Sequence, residues 1–414
     1  MRRFLPSLFV LLVLATGCSD DDAGVATGEG TAATDDTGTT ATTVELTGSP
    51  YKLVSVIDVT AQLQYPEMRA ALQAVADEVN ATGGIDGHPV EIEVCETHLD
   101  ANRTTQCARD AAADPEVVAA VGNFTNFGDG ANAVFTEAGI PVIGPIPIGL
   151  ADYSCEVCFP STGGSIAGLI GQATLVEDVL QGDTVNLVIT DVPAAAQLPA
   201  LLEAVLGGRK ANVTLDRVTP IAHGTADLSA PIGTALGNRP SGVMLALAHD
   251  AGLNFVRGGR AQDPSVPIVV PGITFGQEDF ELLGEASEGL YVASLFGLTG
   301  PAIAEFEAQM DAADPDAPKN DLAKLEWVAA RLFVDVARDL PEVTRESLLD
   351  ALNGLSGYET GLTPPLDFTS PFEGLGGAVP RLFNTTVTYA QVRDSQVEPL
   401  LEGEFADLFT APAA

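Results

Sequence analysis

Between Tyr51 and Pro145 the apolar positions alternate between short unbroken runs and a three-and-four spacing, with few residues left over between them. The run from Lys52 to Val59 is rich in Val and Ile and predicts a strand. Pro66 then opens a helix, because a proline at the first helical position forfeits no hydrogen bond. Met68, Ala71, Leu72, Val75 and Val79 form its inner face, while Glu67, Arg69, Gln73, Asp77 and Glu78 form the wet one. Gly83 and Gly84 stop it. Val90 to Cys95 alternates at period two, which predicts a strand with one better covered side. Asn102 is placed to cap the next helix, which runs to Ala113. Val117 to Val121 and Ile140 to Ile143 read as strands, with a helix from Gly128 to Ala138 between them. Strands separated by helices pair in parallel through right-handed crossovers, and such sheets bind ligands at the carboxyl ends of their strands.

A second series of the same texture follows Pro160. Helices are predicted over Ser165 to Leu180, Gln197 to Leu206 (stopped by Gly207 and Gly208), Asp227 to Leu236 and Ala251 to Arg260. Strands are predicted over Val185 to Thr190, Val213 to Val218, Val243 to Leu247, Pro267 to Pro271 and Leu290 to Ala293. After residue 300 the pattern turns helical, over Pro301 to Met310, Leu322 to Leu340 and Ser347 to Leu352. Leu325, Val328, Ala329, Leu332, Phe333 and Val336 make a packing stripe on the long helix, with Trp327 near its start. Extended segments at Leu366 to Phe368 and Val387 to Val392 precede a Glu-rich tail that reads as loose. One core does not serve the roughly 360 residues beyond the N-terminal region. The pattern predicts an α/β protein of two doubly wound parallel-sheet lobes, with the chain crossing between them more than once.

The N-terminus changes the picture of where this fold works. Arg2 and Arg3 precede an apolar run from Leu8 to Ala15, the charge-then-hydrophobic order of an export leader. That run is too short to span a bilayer stably. Ser19 to Pro50 is a spacer of Asp, Gly, Ala and Thr with almost nothing to bury, so disorder is the cheaper state. The chain carries 57 acidic and 19 basic residues, for a net charge of -38. Nucleic acid and anionic headgroups are disfavoured partners at that balance.

Cysteine usage agrees with an exported protein. Beyond Cys18 there are four cysteines and three possible pairings. Cys95, at a strand end, suits Cys107 in the following helix, and Cys155 suits Cys158; an exported compartment lets both bridges form. A redox dithiol at Cys155 and Cys158 would need the pair to open a helix after a strand, whereas Phe159-Pro160 follows. A four-cysteine zinc site fits poorly, since eleven residues separate the first pair. The chain holds no Gly-x-Ser-x-Gly elbow, no His-Glu-x-x-His and no glycine-rich phosphate loop. No catalytic residue, metal or cofactor is therefore expected.

Two resemblances sharpen these readings. Leu14-Ala-Thr-Gly-Cys18 resembles the bacterial lipoprotein processing box, which implies lipidation of Cys18 and a place on the extracytoplasmic face of the cell membrane. The strand ending in Asp58-Val-Thr60, the phrase Asn80-Ala-Thr-Gly-Gly-Ile-Asp-Gly-His-Pro-Val90, Val121-Gly122 and Val134 to Ile143 resemble the type I periplasmic binding proteins, particularly the branched-chain amino acid receptors of ABC importers. That resemblance implies a leader over 1–17, a tether over 18–49, a first lobe over 50–160 and 292–365, a second over 161–291 and 366–398, and a tail over 399–414. It further implies a three-strand hinge and a monomer that closes on a small polar organic ligand, such as an amino acid, and delivers it to an ABC permease. A sensory domain that reports to a membrane partner without transport is the alternative that the same lobes would serve.

Candidate contacts lie on loops at the carboxyl ends of strands. In the first lobe these are Tyr65, Asn123, Phe124, Thr125 and Ile146. In the second they are Asp191, His249, Asp250, Thr274 and Phe275. Amino acid receptors of the family place an acidic side chain near the last loop, where this chain has Thr274 and Phe275, so Asp191 or Asp250 is the expected substitute. Packing roles compete for several: Phe124 and Phe275 as core, Trp327 on its helix stripe, Asp58 as a strand terminator, His249 as an ordinary loop residue.

Overall fold

Strands β1 (Tyr51–Ile57), β2 (Val90–Glu96), β3 (Val117–Val121), β4 (Val142–Ile143) and β5 (Cys158–Phe159) form one all-parallel sheet in the order β2-β1-β3-β4-β5. Helices α1 (Pro66–Ala81), α2 (Ala101–Ala113) and α3 (Gly128–Ala138) link its strands. The computed structural model describes residues 46–60, 64–192, 195–222 and 224–410, so the leader, Cys18 and most of the tether lie outside the described residues. Central β3 is buried at every position, as a strand covered by helices on both faces must be.

The second lobe follows as α4 (Gly164–Asp178), β6 (Thr184–Thr190), α5 (Leu198–Gly208), β7 (Thr214–Ile221), α6 (Ser229–Leu236), β8 (Gly242–Ala246), α7 (His249–Gln262), β9 (Ile268–Pro271), α8 (Gln277–Leu283) and β10 (Tyr291–Ser294). The chain then returns to the first lobe, where α9 (Pro301–Ala313) and α10 (Asp321–Arg338) pack on α1. Helix α11 (Arg345–Asn353) and the small ribbon β11 (Ser356–Tyr358) with β12 (Leu366–Asp367) follow. Strand β13 (Thr386–Arg393) joins the second sheet antiparallel to β10, and β14 (Gln396–Pro399) and β15 (Ala406–Asp407) pair with β13. The result is two α/β lobes, the second sheet ordered β14-β13-β10-β9-β8-β6-β7 with β15 beside β13. The backbone passes between them along residues 160–163, 295–300 and 369–385, the three linking segments of a type I arrangement.

Helix α10 fixes how closely the first lobe is packed. Leu325, Val328, Ala329, Leu332, Phe333 and Val336 are all buried, as the stripe predicts. The helix lies so near the ends of β3 and β4 that only glycine fits opposite it: a Cβ on Gly122 would sit 1.5 Å from the Glu326 carboxylate, and one on Gly144 2.4 Å from the Ala329 methyl. Both glycines also hold positive φ, 59° and 60°, a region costly for other residues. Trp327 belongs to this packing. It is 2% exposed, its Nε1 donates to Gln309 Oε1 at 2.7 Å, and its ring meets Phe306 edge-on.

Several boundaries differ from the sequence reading, each for a local reason. Asp100, not Asn102, caps α2, accepting from Arg103 N at 2.8 Å. Gly207 and Gly208 lie inside α5, which ends at Arg209. That guanidinium is buried against Glu177 and Asp178 at 3.1 and 3.3 Å, and it donates to the Leu408 carbonyl at 3.2 Å. Residues 399–410, expected as a loose tail, are thereby held on the second lobe, with Leu408 fully buried. Leu46 to Ser49, expected as tether, are pinned too: Thr47 N and Gly48 N donate to the Gly87 carbonyl, and His88 stacks on Tyr51 at 4.8 Å. The strand Tyr291–Ser294, across which the expected lobe boundary fell, belongs wholly to the second sheet. Both expected bridges are present, Cys95 to Cys107 and Cys155 to Cys158.

Candidate functional site

The carboxyl end of β1 delivers Asp58 into the protein, 1% exposed. Four donors converge on its carboxylate. The Thr97 and Thr125 hydroxyls donate to Oδ1, the latter at 2.9 Å, and Asn126 gives its backbone N–H and its Nδ2 to Oδ2 at 2.7 and 3.0 Å. Strand-like bonds hold the neighbouring residues: Asp58 N donates to the Phe124 carbonyl and Phe124 N to the Val56 carbonyl, both at 2.9 Å. Asn123 Oδ1 accepts from Val56 N at 3.0 Å. The 123–126 loop is thus an extension of the sheet, with its small polar side chains spent on holding it.

What this shelf presents outward is aromatic. The Phe124 and Tyr65 rings are half-buried and meet edge-on, their centroids 5.3 Å apart. Burial, with the negative charges of Glu67 and Asp58 behind it, pushes the Tyr65 hydroxyl well above its usual range, so it stays a neutral phenol. Glu67 beside it is 5% exposed, and burial raises its carboxyl while Asn320, donating from Nδ2 at 3.0 Å, opposes the shift.

A second resident acid organises the next loop. Asp152, 8% exposed, accepts from Ile148 N and Gly149 N through Oδ2, both at 2.9 Å, and from Asn132 Nδ2 through Oδ1 at 2.9 Å. Burial pushes its carboxyl up while these three bonds hold it down.

Opposite, the second lobe offers an ion pair. His249 opens α7 and donates from Nε2 to Asp279 Oδ1 at 2.6 Å, with Asp250 Oδ1 3.4 Å from Nδ1. Asp279 also accepts from Gly276 N at 2.9 Å, which ties the start of α8 to the start of α7. The bond to Asp279 holds the imidazolium pKa above its usual value, against the opposing effect of burial. Glu67 of the first lobe feels the charges of both His249 and Asp279.

Between the lobes lies a cavity of about 200 Å³. The first lobe contributes Asn126, Asp129 and the turn Ile148 to Ala151; the second contributes Ile166, Gln197, Leu198 and Leu201. Its lining sets the aliphatic Ile148, Leu150, Ile166, Leu198 and Leu201 beside the polar Asn126, Asp129 and Gln197.

A family model described as periplasmic binding protein matches residues 59–378. The chain belongs to the periplasmic binding protein family. Among curated protein sequences no match is found. Solved structures share the fold. A fatty acid ABC transporter substrate-binding protein from Thermomonospora curvata aligns with a TM-score of 0.72 at 15% identity, covering 88% of this chain and 93% of that one. A possible leucine/isoleucine/valine-binding protein from Rhodopirellula baltica gives 0.70 at 15%, with 87% and 99% covered. The branched-chain amino acid transporter substrate-binding protein of Streptococcus pneumoniae, in complex with isoleucine, gives 0.68 at 20%, with 84% and 98% covered. A periplasmic binding protein is an extracytoplasmic solute receptor and not an enzyme.

Set against this receptor's geometry, the expected contact residues divide. Tyr65 and Phe124 come together on the first lobe, and His249 and Asp250 on the second. Asn123 and Thr125 lie in the same loop, but their side chains bond inward. Ile146 and Phe275 are core residues, 2% and 3% exposed, Phe275 stacking on Phe280 at 6.3 Å. Both are expected at the ligand, but each is drawn into a buried apolar cluster instead, Phe275 together with Phe280. Thr274 is half-buried with its hydroxyl oxygen unpaired among the described residues, and Asp191 is exposed at the end of β6. Asn126, Ile148 and Gln197 line the cavity from within the expected loops, although none was singled out. Asn126 and Gln197 lie in the turns that lead into α3 and α5, and Ile148 just before the turn at Gly149 to Ala151.

Proposed function

We propose that this protein is a lipid-anchored receptor of an ABC importer, capturing an amino acid or similar small polar organic solute between its lobes. The observation that carries the reading is the cavity formed jointly by the turn Ile148 to Ala151 and the start of α5, elements of opposite lobes. A solute seated there touches both halves, so its binding energy favours the closed arrangement over the open one. Structural relatives that are branched-chain amino acid and fatty acid ABC transporter substrate-binding proteins support the transport role. The lipoprotein-like box at Cys18 supports an anchor on the outer face of the cell membrane.

Thermal-shift screening of amino acids, amides, polyamines and small aromatic acids tests the reading, with X-ray scattering on each stabilised complex. A ligand at about one hundred times its Kd stabilises the fold by about 2.7 kcal/mol and should reduce the radius of gyration. Stabilisation without compaction, or no stabilising compound in any class, counts against a closing receptor. Crosslinking in membranes that captures a signalling protein and no permease would replace transport with sensing.

A further inference from the structure

The first-lobe loops hold their donors in a way that bears on the charge of the solute. A ligand carboxylate would seek backbone N–H groups and hydroxyls at the strand ends, yet the protein's own carboxylates already occupy them. Asp58 takes Asn126 N and the Thr125 hydroxyl, and Asp152 takes Ile148 N and Gly149 N. Of the polar side chains left lining the cavity, Asn126 and Asp129 present acceptors, and the Gln197 amide is the one donor among them. Because Asp58 can only accept, Asn126 turns its Nδ2 inward and leaves Oδ1 outward. Asp129 adds an exposed carboxylate to the same rim. The loops following β1, β3, β4, β6, β8 and β9 contain no Lys or Arg, and His249, already paired with Asp279, is their one basic residue. Ile148 and Leu150 face Ile166, Leu198 and Leu201 across the cavity, a slot for an aliphatic body.

We propose that the cleft takes a small aliphatic amine or amide, whose N–H groups meet Asn126 Oδ1 and the Asp129 carboxylate, and that it discriminates against carboxylates. This rests on the reading of the chain as a closing solute receptor and narrows its ligand. An anion placed here meets the Asn126 carbonyl oxygen and the Asp129 carboxylate, with no cation in the lining to offset them, and a juxtaposition of like charges costs affinity.

Calorimetric titration of the full-length chain with isoamylamine, leucinamide, leucine and 4-methylpentanoate tests it, since the four share one branched skeleton and differ in charge. Isoamylamine and leucinamide are expected to bind at least about tenfold tighter than 4-methylpentanoate, with leucine between them. Equal or tighter binding of 4-methylpentanoate overturns the proposal, and so does failure of all four to bind. Leu201→Lys, at a half-buried wall position that tolerates a long side chain, should shift the preference toward 4-methylpentanoate; an unchanged ratio overturns the placement. Scattering separates the two levels of failure. If 4-methylpentanoate binds and compacts the protein, the receptor reading stands and the charge assignment falls. If no compound in the wider screen compacts it, the receptor reading falls as well.

Discussion

Two buried acids flank the loop of residues 123–126, and they are handled in opposite ways. Asp58, beneath residues 123–126, gathers four donors on its two oxygens. Glu326, behind Gly122 on α10, is fully buried and has no hydrogen-bond partner on either oxygen among the described residues. So many bonds to one side chain make Asp58 a rigid post for the loop. A carboxyl with no donors cannot hold its charge, and burial pushes its pKa well above the ordinary value of 4.5. One acid thus fixes the shelf through its hydrogen bonds, while burial without a donor pushes the carboxyl of the other up.

The largest effect is expected from removing the post. Asp58→Ala leaves the Thr97 and Thr125 hydroxyls and the Asn126 amide without their acceptor, so the loop loses its reason to hold this shape. A loss of about 3 to 5 kcal/mol in urea unfolding is expected, as for other broken buried charge networks. Asp58→Asn, which keeps an acceptor but adds donors where donors already converge, should fall between wild type and the alanine variant. If Asp58→Ala unfolds at the wild-type urea midpoint, the four bonds contribute nothing and the contrast collapses.

Glu326 sharpens the contrast through its sign. Its pKa is raised by folding, so the folded chain binds the proton more tightly than the unfolded chain does. The stability tied to that proton is fully present below about pH 4.5 and is lost as pH rises through the folded value. Glu326→Gln is neutral at every pH and should lack that loss. The stability gap favouring the glutamine variant should therefore widen from pH 5 toward pH 8, by up to about 1.4 kcal/mol per pH unit until the folded value is passed. A gap that stays constant across this range would mean that the Glu326 carboxyl titrates normally.

The same contrast explains what was legible in the sequence. Periodicity recovers the longer strands and helices of both lobes, though not α8 or the short β5, β11, β14 and β15, because parallel sheets covered by helices need apolar runs, and Val117 to Val121 is buried throughout as such a run should be. The α10 stripe is equally plain. The site is less legible because loop side chains are chosen by bonds whose partners lie far along the chain. Thr125 reads as a ligand hydroxyl until Asp58, 67 residues earlier, is seen to take it. Asp58 reads as a strand terminator until the three residues that bond it are brought together from Thr97, Thr125 and Asn126. Phe275 reads as a platform until Phe280 is found behind it. The C-terminal pinning was hidden for the same reason, since Leu408 depends on Arg209, 199 residues away.

The smallest expected effect lies at the intermediate case, an acid paired with a base on the second lobe. His249 and Asp279 are bonded like Asp58, yet the histidine side chain is 43% exposed, so water screens much of what the pair gains. The bond to Asp279 raises the imidazolium pKa above 6.5. Its contribution is fully present below pH 6.5 and fades as pH rises through the folded value. His249→Gln should then be less stable than wild type at pH 5.5 by a few tenths to about 1 kcal/mol, discounted for that exposure, and the difference should shrink by pH 9. Glu67 faces this pair from α1, Asp250 from α7 itself, and both are negative when ionised. Both charges therefore act in the same direction as Asp279. Chemical denaturation of the two proteins at pH 5.5, 7 and 9 measures the trend, and a difference that grows with pH would show that His249 is held neutral instead.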